Sequence, residues 1–433
     1  MILLLSILYI CAIIYVLKLT KYVNIDILKP SVISIFLLFW FVVDYVGYIL
    51  LFYDLTKYTH EFHHKYLIYE MFLLNLLAIT LVIISYAIVD RYLVLKVKGK
   101  EYYKINNMEY NFAILFLMIG IFFLLVFFSK LDTIAIVGLV TGVGDAAHLR
   151  SNATSGFSGS RSFYYGFING LLPFLSYYFF AVYLKIKTFK TKLFWYISLL
   201  FAIICTVQSL SKAPVVFYLF SLWVLYLVIN SKRFNLKILF IGGIISFLAI
   251  LLIYGFIGGF SNKDFINDIL LPMLNRAFGG QIRPLYYYLE MFPNHHDWLL
   301  GQSIGIPSFL HKLIYDSRYI LPVEIMNYIH PGVYIDRVGR ANTIFWGEAY
   351  ANFSYIGIIF VSILTGFIMS ITQYIVSKKK DFLHIALYTF FIMYFIKLVF
   401  SGFSTVLLPL SSSLIYIVLT SLFLFYVPKV RFK

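Results

Sequence analysis

Arginine is concentrated in two polar stretches of this chain, 129–162 and 259–346. A guanidinium group is planar and always charged, and its fork of N–H donors matches the oxygens of a phosphate group. The pattern therefore predicts recognition of a phosphorylated group, although pairing with nearby aspartates would account for the same residues. The arginines concerned are Arg150 and Arg161 in the shorter stretch and Arg276, Arg283, Arg318, Arg337 and Arg340 in the longer one.

Two histidines and a glutamate in the same region are candidates for proton transfer. His295 and His296 lie in the longer stretch, and neutral imidazole accepts a proton near pH 7. Glu348 stands just after this stretch, at the mouth of the next apolar run, where an ionisable group is a functional candidate. The alternative for Glu348 is a salt bridge to Arg337 or Arg340, and sequence alone leaves both interpretations open.

Three further charged residues stand at unusual positions. Lys397 and Asp44 fall inside apolar runs, where a charge needs a partner or a polar cavity, and each is a candidate partner for the other. Lys212 lies in the turn SLSKAP (209–214), where proline favours the end of a helix. We therefore add Lys212 and Lys397 to the candidate binding residues.

No metal or cofactor site is predicted. The group HEFHH at 60–64 has the residue types of a metal site, but solvated histidines are the simpler interpretation. The sequence contains no D-x-D pair for a divalent cation and no GxxxxGK[ST] loop for a nucleotide phosphate. A nucleotide-dependent or metal-dependent transferase is therefore not indicated.

Long apolar runs must position these residues. A helix needs about 20 mostly apolar residues to cross a bilayer, and the chain has about eleven such runs. The chain is 62% hydrophobic and 12% charged, whereas soluble proteins keep about a quarter of their residues charged. We predict an all-α polytopic membrane protein, a single integral membrane domain over 1–433. The runs lie near 2–17, 31–53, 67–89, 112–128, 163–184, 193–210, 213–230, 238–258, 347–376, 383–402 and 410–427.

The connections between the runs predict an orientation. Every second connection is rich in lysine and arginine, and these connections hold more than half of the chain's 35 basic residues. Cytoplasmic loops carry such an excess. We therefore expect the N-terminus outside, the C-terminus in the cytoplasm, and two outer segments, 129–162 and 259–346. The net charge of +16 follows from these clusters and does not indicate nucleic-acid binding, which needs a basic patch on a folded surface.

Local motifs add a resemblance to a known family. They are GDAAHLRSNATSG (144–156), the turn SLSKAP (209–214) and GRANTIFWGEAYANFSYIGII (339–359), which ends the arginine-bearing loop. With the arrangement of spans, they make the chain resemble the O-antigen and capsular polysaccharide polymerases, the Wzy-type oligosaccharide repeat-unit polymerases. The related O-antigen ligases look similar at the same place, but Ala341 precedes Asn342 where those enzymes usually have a histidine.

The resemblance implies a metal-independent glycosyltransferase of the bacterial cytoplasmic membrane that needs no cofactor. It would join oligosaccharide repeat units carried on polyprenyl pyrophosphate, at the outer face. Its expected partners are these lipid-linked glycans and the bilayer, with a chain-length regulator and a flippase as further candidates and no nucleic acid. Glu348, His295 or His296 would take the acceptor proton, and the substrate would be held by Arg150, Arg161, Arg276, Arg283, Arg337, Arg340, Lys212, Lys397 and Tyr287, the last by stacking on a sugar ring.

Two rival functions remain open at this point. A flippase for lipid-linked oligosaccharides would place polar groups near the bilayer midplane and often shows paired halves, and this sequence shows no such symmetry. A ligase would use the same kind of donor with a different acceptor. The size of the surface glycan after deletion of the gene would distinguish the three.

Overall fold

Helices make up the regular structure of the computed structural model, and no strand occurs among the residues that it describes. The predicted run 238–258 and most of the predicted outer segment 129–162 lie outside those residues. The structure describes 2–53, 62–94, 107–131, 133–141, 161–208, 212–235, 237–238, 241, 270–305, 311, 313–315, 319–331, 340–378, 381–408 and 412–426.

Three of the helices contain a π-helical turn, at Trp40–Tyr45, Phe167–Leu171 and Asn275–Gly279. Such a turn inserts one extra residue and is frequent at functional sites. In chain order the helices of the described residues are α1 (Ile2–Tyr22), α2 (Val32–Phe52), α3 (Tyr66–Val94), α4 (Asn107–Ser129), α5 (Ala135–Thr141), α6 (161–185), α7 (Phe189–Val207), α8 (Lys212–Ile229), α9 (271–291), α10 (Leu321–Ile329), α11 (Phe345–Ser377), α12 (Phe382–Ile396), α13 (Ser404–Leu407) and α14 (Ser412–Tyr426).

Seven helices within the described ranges are long and apolar enough to cross a membrane. Two shorter apolar helices, Ala213–Ile229 and Leu414–Phe425, and the 21-residue α1 cover three more of the predicted runs. The chain is therefore a helical membrane protein, as predicted, while the count of eleven spans stays a prediction. The seven are Val32–Phe52, Tyr66–Leu93, Asn107–Ser129, Phe163–Lys185, Phe189–Val207, Phe345–Ser377 and Phe382–Val399.

Capping boxes begin two of the spans. The side chain of Ser31 accepts a hydrogen bond from the backbone N–H of Ser34 at the start of α2, and Thr188 does the same with Thr191 at the start of α7. Reciprocal bonds of this kind satisfy backbone donors that have no partner inside the helix. Both caps fall in connections that the sequence assigns to the cytoplasmic face.

The contacts between Cα atoms divide the chain, which the sequence analysis treated as one domain, into two compact units. The first comprises 1–96, 233–374 and 394–408, and it buries large side chains such as Trp40, Trp346 and Tyr48. The second comprises 97–232, 375–393 and 409–433, with a core that includes Phe174 and Phe179. All predicted site residues whose side chains the structure describes belong to the first unit.

Helices α3 and α11 of the first unit approach each other closely at Gly366. A Cβ atom on this residue would meet the carbonyl oxygen of Val82 and would lie 2.8 Å from the backbone nitrogen of Tyr86. The hydroxyl of Ser85 donates a hydrogen bond to the Ile363 carbonyl at 2.7 Å. Small residues permit this approach in lipid, where no hydrophobic force drives helices together.

Gly366→Ala is expected to lower the free energy of unfolding by about 2–3 kcal/mol, because the added methyl group meets backbone atoms that cannot move aside. The matched control is Gly280→Ala on α9, where the nearest atom to an added Cβ is 3.9 Å away. Alanine there should leave stability unchanged or raise it by up to about 1 kcal/mol. Thermal unfolding of the purified proteins in detergent measures both, and equal midpoints would contradict the close packing of α3 and α11.

Candidate functional site

The described part of the long arginine-bearing stretch is bound to the entry of α11. This joins α9, which carries Arg283, to the first turn of α11, which carries Glu348. The two predicted site residues therefore stand on elements that are fixed to each other. The hydrogen bonds that join them run from the hydroxyl of Thr343 to the Gln281 carbonyl at 2.6 Å, from Tyr288 to the Ala341 carbonyl at 3.3 Å, and from Tyr350 to the Phe292 carbonyl at 3.1 Å.

A break in α11 anchors a loop of the same stretch. The backbone of Phe353 and Ser354 is not helical, and Ser354 has a φ of 58°. A helix break leaves carbonyl groups without their usual partners, and the loop 299–301 supplies N–H donors to them. The N–H groups of Leu299 and Leu300 donate to the carbonyls of Ala351 and Asn352, each at 3.1 Å, and that of Gly301 donates to Asn352 Oδ1 at 3.0 Å.

Glu348 is buried in this arrangement, with 7% of its surface exposed. Its carboxylate accepts hydrogen bonds from the backbone N–H of Ser404 at 2.9 Å and from the Ser404 hydroxyl at 2.6 Å. Gly402 lies against the same side chain, and a Cβ atom there would be 2.7 Å from Glu348 Cδ. Glu348 therefore ties the connection after α12 to the first turn of α11.

Arg283 is half-buried on α9, and its guanidinium carbon lies 5.8 Å from the centre of the Tyr287 ring. An aromatic face attracts a cation at this distance. Tyr287 itself is 4% exposed, and its ring packs against those of Phe62, Tyr286 and Tyr328. So little exposed surface does not suit the predicted stacking on a sugar, and the position of Tyr287 instead fits orientation of Arg283.

Glu290 is a buried carboxylate that the sequence analysis did not single out. It is 3% exposed and accepts hydrogen bonds from the hydroxyls of Tyr286 at 2.9 Å and Tyr328 at 3.4 Å. Burial, together with the neighbouring Glu290, raises the pKa of Tyr286, so this tyrosine remains a donor at neutral pH. The spacing of Tyr286 and Glu290, four residues apart on one helix, is the signal that would have found the pair.

The two predicted histidines differ in their surroundings. His295 is exposed, with its ring 5.5 Å from that of Tyr328. His296 is partly exposed, and its Nδ1 lies 2.7 Å from the carbonyl oxygen of Asp297. The backbone N–H groups of both histidines donate to the Met291 carbonyl, which fixes the turn after α9. His295 is therefore the more accessible proton acceptor of the two.

Lys397 and Asp44 do not form the ion pair for which each was a candidate. The ammonium group of Lys397 lies 5.1 Å from the centre of the Tyr394 ring, at the turn that ends α12. The carboxylate of Asp44 is fully buried and has no hydrogen-bond partner among the described residues. The physical reason is direction, since the side chain of Lys397 is exposed while that of Asp44 is enclosed.

The remaining predicted residues contribute less to the described site. Arg340 is exposed, directly before the buried Ala341. The backbones of Arg161, Lys212 and Arg276 lie in α6, α8 and α9, and their side chains fall outside the description. Arg150, Arg318 and Arg337 lie wholly outside the described residues, as do His60 and His148.

Contacts between connecting segments of the first unit fall into two groups. The first group joins segments predicted to be cytoplasmic, and the second joins segments predicted to be outside. None of these contacts mixes the two predicted faces. In the first group, Arg233 pairs with Asp26 at 2.8 Å, the N–H of Phe234 donates to the Leu28 carbonyl and the N–H of Val32 donates to Gln373; in the second, the N–H of His64 donates to Tyr286 and Ser404 donates to Glu348.

Comparison with known proteins adds no assignment to these observations. No protein-family model, no curated protein and no solved structure matches the chain. The function is therefore inferred from the residues of the site and from their positions on the membrane helices.

Proposed function

We propose that this protein polymerises oligosaccharide repeat units carried on polyprenyl pyrophosphate, at the outer face of the bacterial cytoplasmic membrane. The observation that supports this most is the attachment of α9, with Arg283, to the entry of α11, with Glu348. A donor anchored in the bilayer presents its pyrophosphate near the membrane surface. A site built at the end of a membrane helix is within reach of such a donor.

The proposed topology has eleven spans, with 129–162 and 259–346 outside and the C-terminus in the cytoplasm. The alternation of basic connections supports it. The separation of contacts adds support, because Arg233 and Asp26 pair between two predicted inner segments. The bond from His64 to Tyr286 joins two predicted outer segments.

The proposed reaction is a single displacement at the anomeric carbon of the donor glycan. The hydroxyl of the acceptor repeat unit forms a bond to that carbon, the bond from carbon to pyrophosphate breaks, and the configuration inverts. Negative charge grows on the leaving pyrophosphate, and Arg283 would stabilise it, together with the other predicted arginines. The hydroxyl proton passes to Glu348 or His295, the most favourably placed of the predicted bases.

Deletion of the gene tests the proposal at the level of the product. We expect surface molecules that carry a single repeat unit, because the repeat units are still made, exported and attached but are not joined. Electrophoresis of the surface glycan, with the intact gene restored on a plasmid as control, measures the number of repeats. Complete loss of surface glycan would contradict a polymerase and favour a flippase or a ligase.

A further inference from the structure

A carboxylate in α2 lacks any neutralising group in the structure. Asp44 lies inside the candidate span Val32–Phe52, it is 0% exposed, and neither of its oxygens has a hydrogen-bond partner among the described residues. It belongs to the π-helical turn Trp40–Tyr45. A buried charge without partners costs several kcal/mol or more. A further group that neutralises Asp44 is therefore required.

A second π-helical turn packs against the first. It is Asn275–Gly279 of α9, and the two helices approach so closely that a Cβ atom on Gly47 would meet the carbonyl oxygen of Phe278. The amide oxygen and nitrogen of Asn275 are buried and, like Asp44, have no partner in the described part of the chain. The two turns thus bring together two polar side chains that are unsatisfied in the structure.

Nearby donors are already used by other acceptors. The hydroxyl of Tyr48, one turn after Asp44, donates to the Met71 carbonyl at 3.0 Å. The indole N–H groups of Trp40 and Trp346 both donate to Asn75 Oδ1, at 3.2 and 3.0 Å. These bonds close the surroundings of Asp44 without supplying a donor to its carboxylate.

We propose that Asp44 and Asn275 hold a dehydrated monovalent cation between α2 and α9. One carboxylate balances one positive charge, and the amide oxygen of Asn275 is a neutral oxygen ligand of the kind that alkali and other hard cations accept. A divalent cation is the poorer fit, because its sites usually contain several carboxylates. Within the described residues no group of three or more His, Cys, Asp or Glu side chains is close enough to hold a metal ion.

This site is separate from the proposed transferase chemistry, and the proposal holds whether or not the protein is a polymerase. Its structural effect would be to fix α9 against α2. Since α9 also carries Arg283, the cation would contribute to the position of that arginine. Neither Asp44 nor Asn275 is among the groups that would contact the lipid-linked substrate.

Thermal unfolding of the purified full-length protein in detergent tests the site. NaCl, and in parallel KCl, is compared with choline chloride at equal ionic strength, because choline is too large to enter. We expect a saturable rise of about 3 °C in the unfolding midpoint with the preferred ion, as mass action predicts for a ligand that binds the folded state alone. Asp44→Asn should abolish the rise, whereas the control Asp26→Asn, which removes a half-exposed carboxylate, should keep it.

Direct binding keeps the proposal testable if Asp44→Asn fails to fold. Equilibrium binding of radioactive sodium to the unaltered protein should reach about one ion per chain and should compete with potassium but not with choline. A protonated Asp44 is the rival explanation, and it predicts no ion dependence and an Asp44→Asn variant as stable as the original. That result, an absence of bound ion, or an ion effect that persists in Asp44→Asn would overturn the proposal.

Discussion

Replacing Arg283 with lysine is expected to lower the rate of repeat-unit transfer by about 100-fold, the usual loss when one transition-state donor is removed. Lysine keeps the positive charge but loses the planar fork of donors that fits a pyrophosphate. It also loses the flat contact with the Tyr287 ring, 5.8 Å from the guanidinium carbon. The measurement is the length of polymer that the purified protein makes from lipid-linked repeat units in a fixed time.

The matched control for this substitution is Arg233→Lys. Arg233 is exposed and pairs with Asp26 in the group of contacts predicted to be cytoplasmic. An exposed ion pair contributes about 0–1 kcal/mol, so both stability and polymer length should remain near those of the original protein. Polymers of normal length from Arg283→Lys would remove this arginine from the proposed site.

Replacing Glu348 with alanine is expected to lower the free energy of unfolding by about 3 kcal/mol. The N–H and the hydroxyl of Ser404 would lose their acceptor inside a buried region, and bonds to a charged acceptor are among the stronger ones. Glu348→Gln keeps the volume and one oxygen acceptor, so its loss should be smaller, about 1 kcal/mol. Thermal unfolding in detergent gives both values, with Glu324→Gln on α10 as a control for the loss of a charge.

A comparison with Ser404→Ala separates the two roles that Glu348 could have. If Glu348 accepts the proton of the attacking hydroxyl, Glu348→Gln should reduce transfer by about 100-fold or more, while Ser404→Ala keeps most of the activity. If Glu348 serves to position the connection after α12, both variants should lose activity in proportion to their loss of stability. Loss of activity in His295→Gln but not in Glu348→Gln would assign the proton to His295.

The membrane helices could be predicted because their signal is local. The apolar run near 347–376 became α11, Phe345–Ser377, with nearly the same bounds. The run near 112–128 became Asn107–Ser129, because the polar residues before it continue the helix. The break at Phe353 and Ser354 could not be predicted, since neither proline nor glycine stands there to signal it.

The site was only partly predictable because its geometry depends on residues far apart in the chain. The position of Glu348 at the entry of a span was visible in the sequence, but its partner Ser404 follows 56 residues later. The tyrosines near 287 suggested sugar stacking by residue type alone. Their burial results from packing against Phe62 and Tyr328, which no local pattern contains.

The loop bound to the break in α11 limits how this protein can be recombined with others. The N–H groups of 299–301 satisfy carbonyls that belong to α11 itself. A hybrid that received a foreign outer loop ending just before Phe345 would keep the broken helix and lose the donors that complete it. The smallest segment that can be exchanged intact therefore extends through Ser354, so that the loop and the helix end that it completes are inherited together.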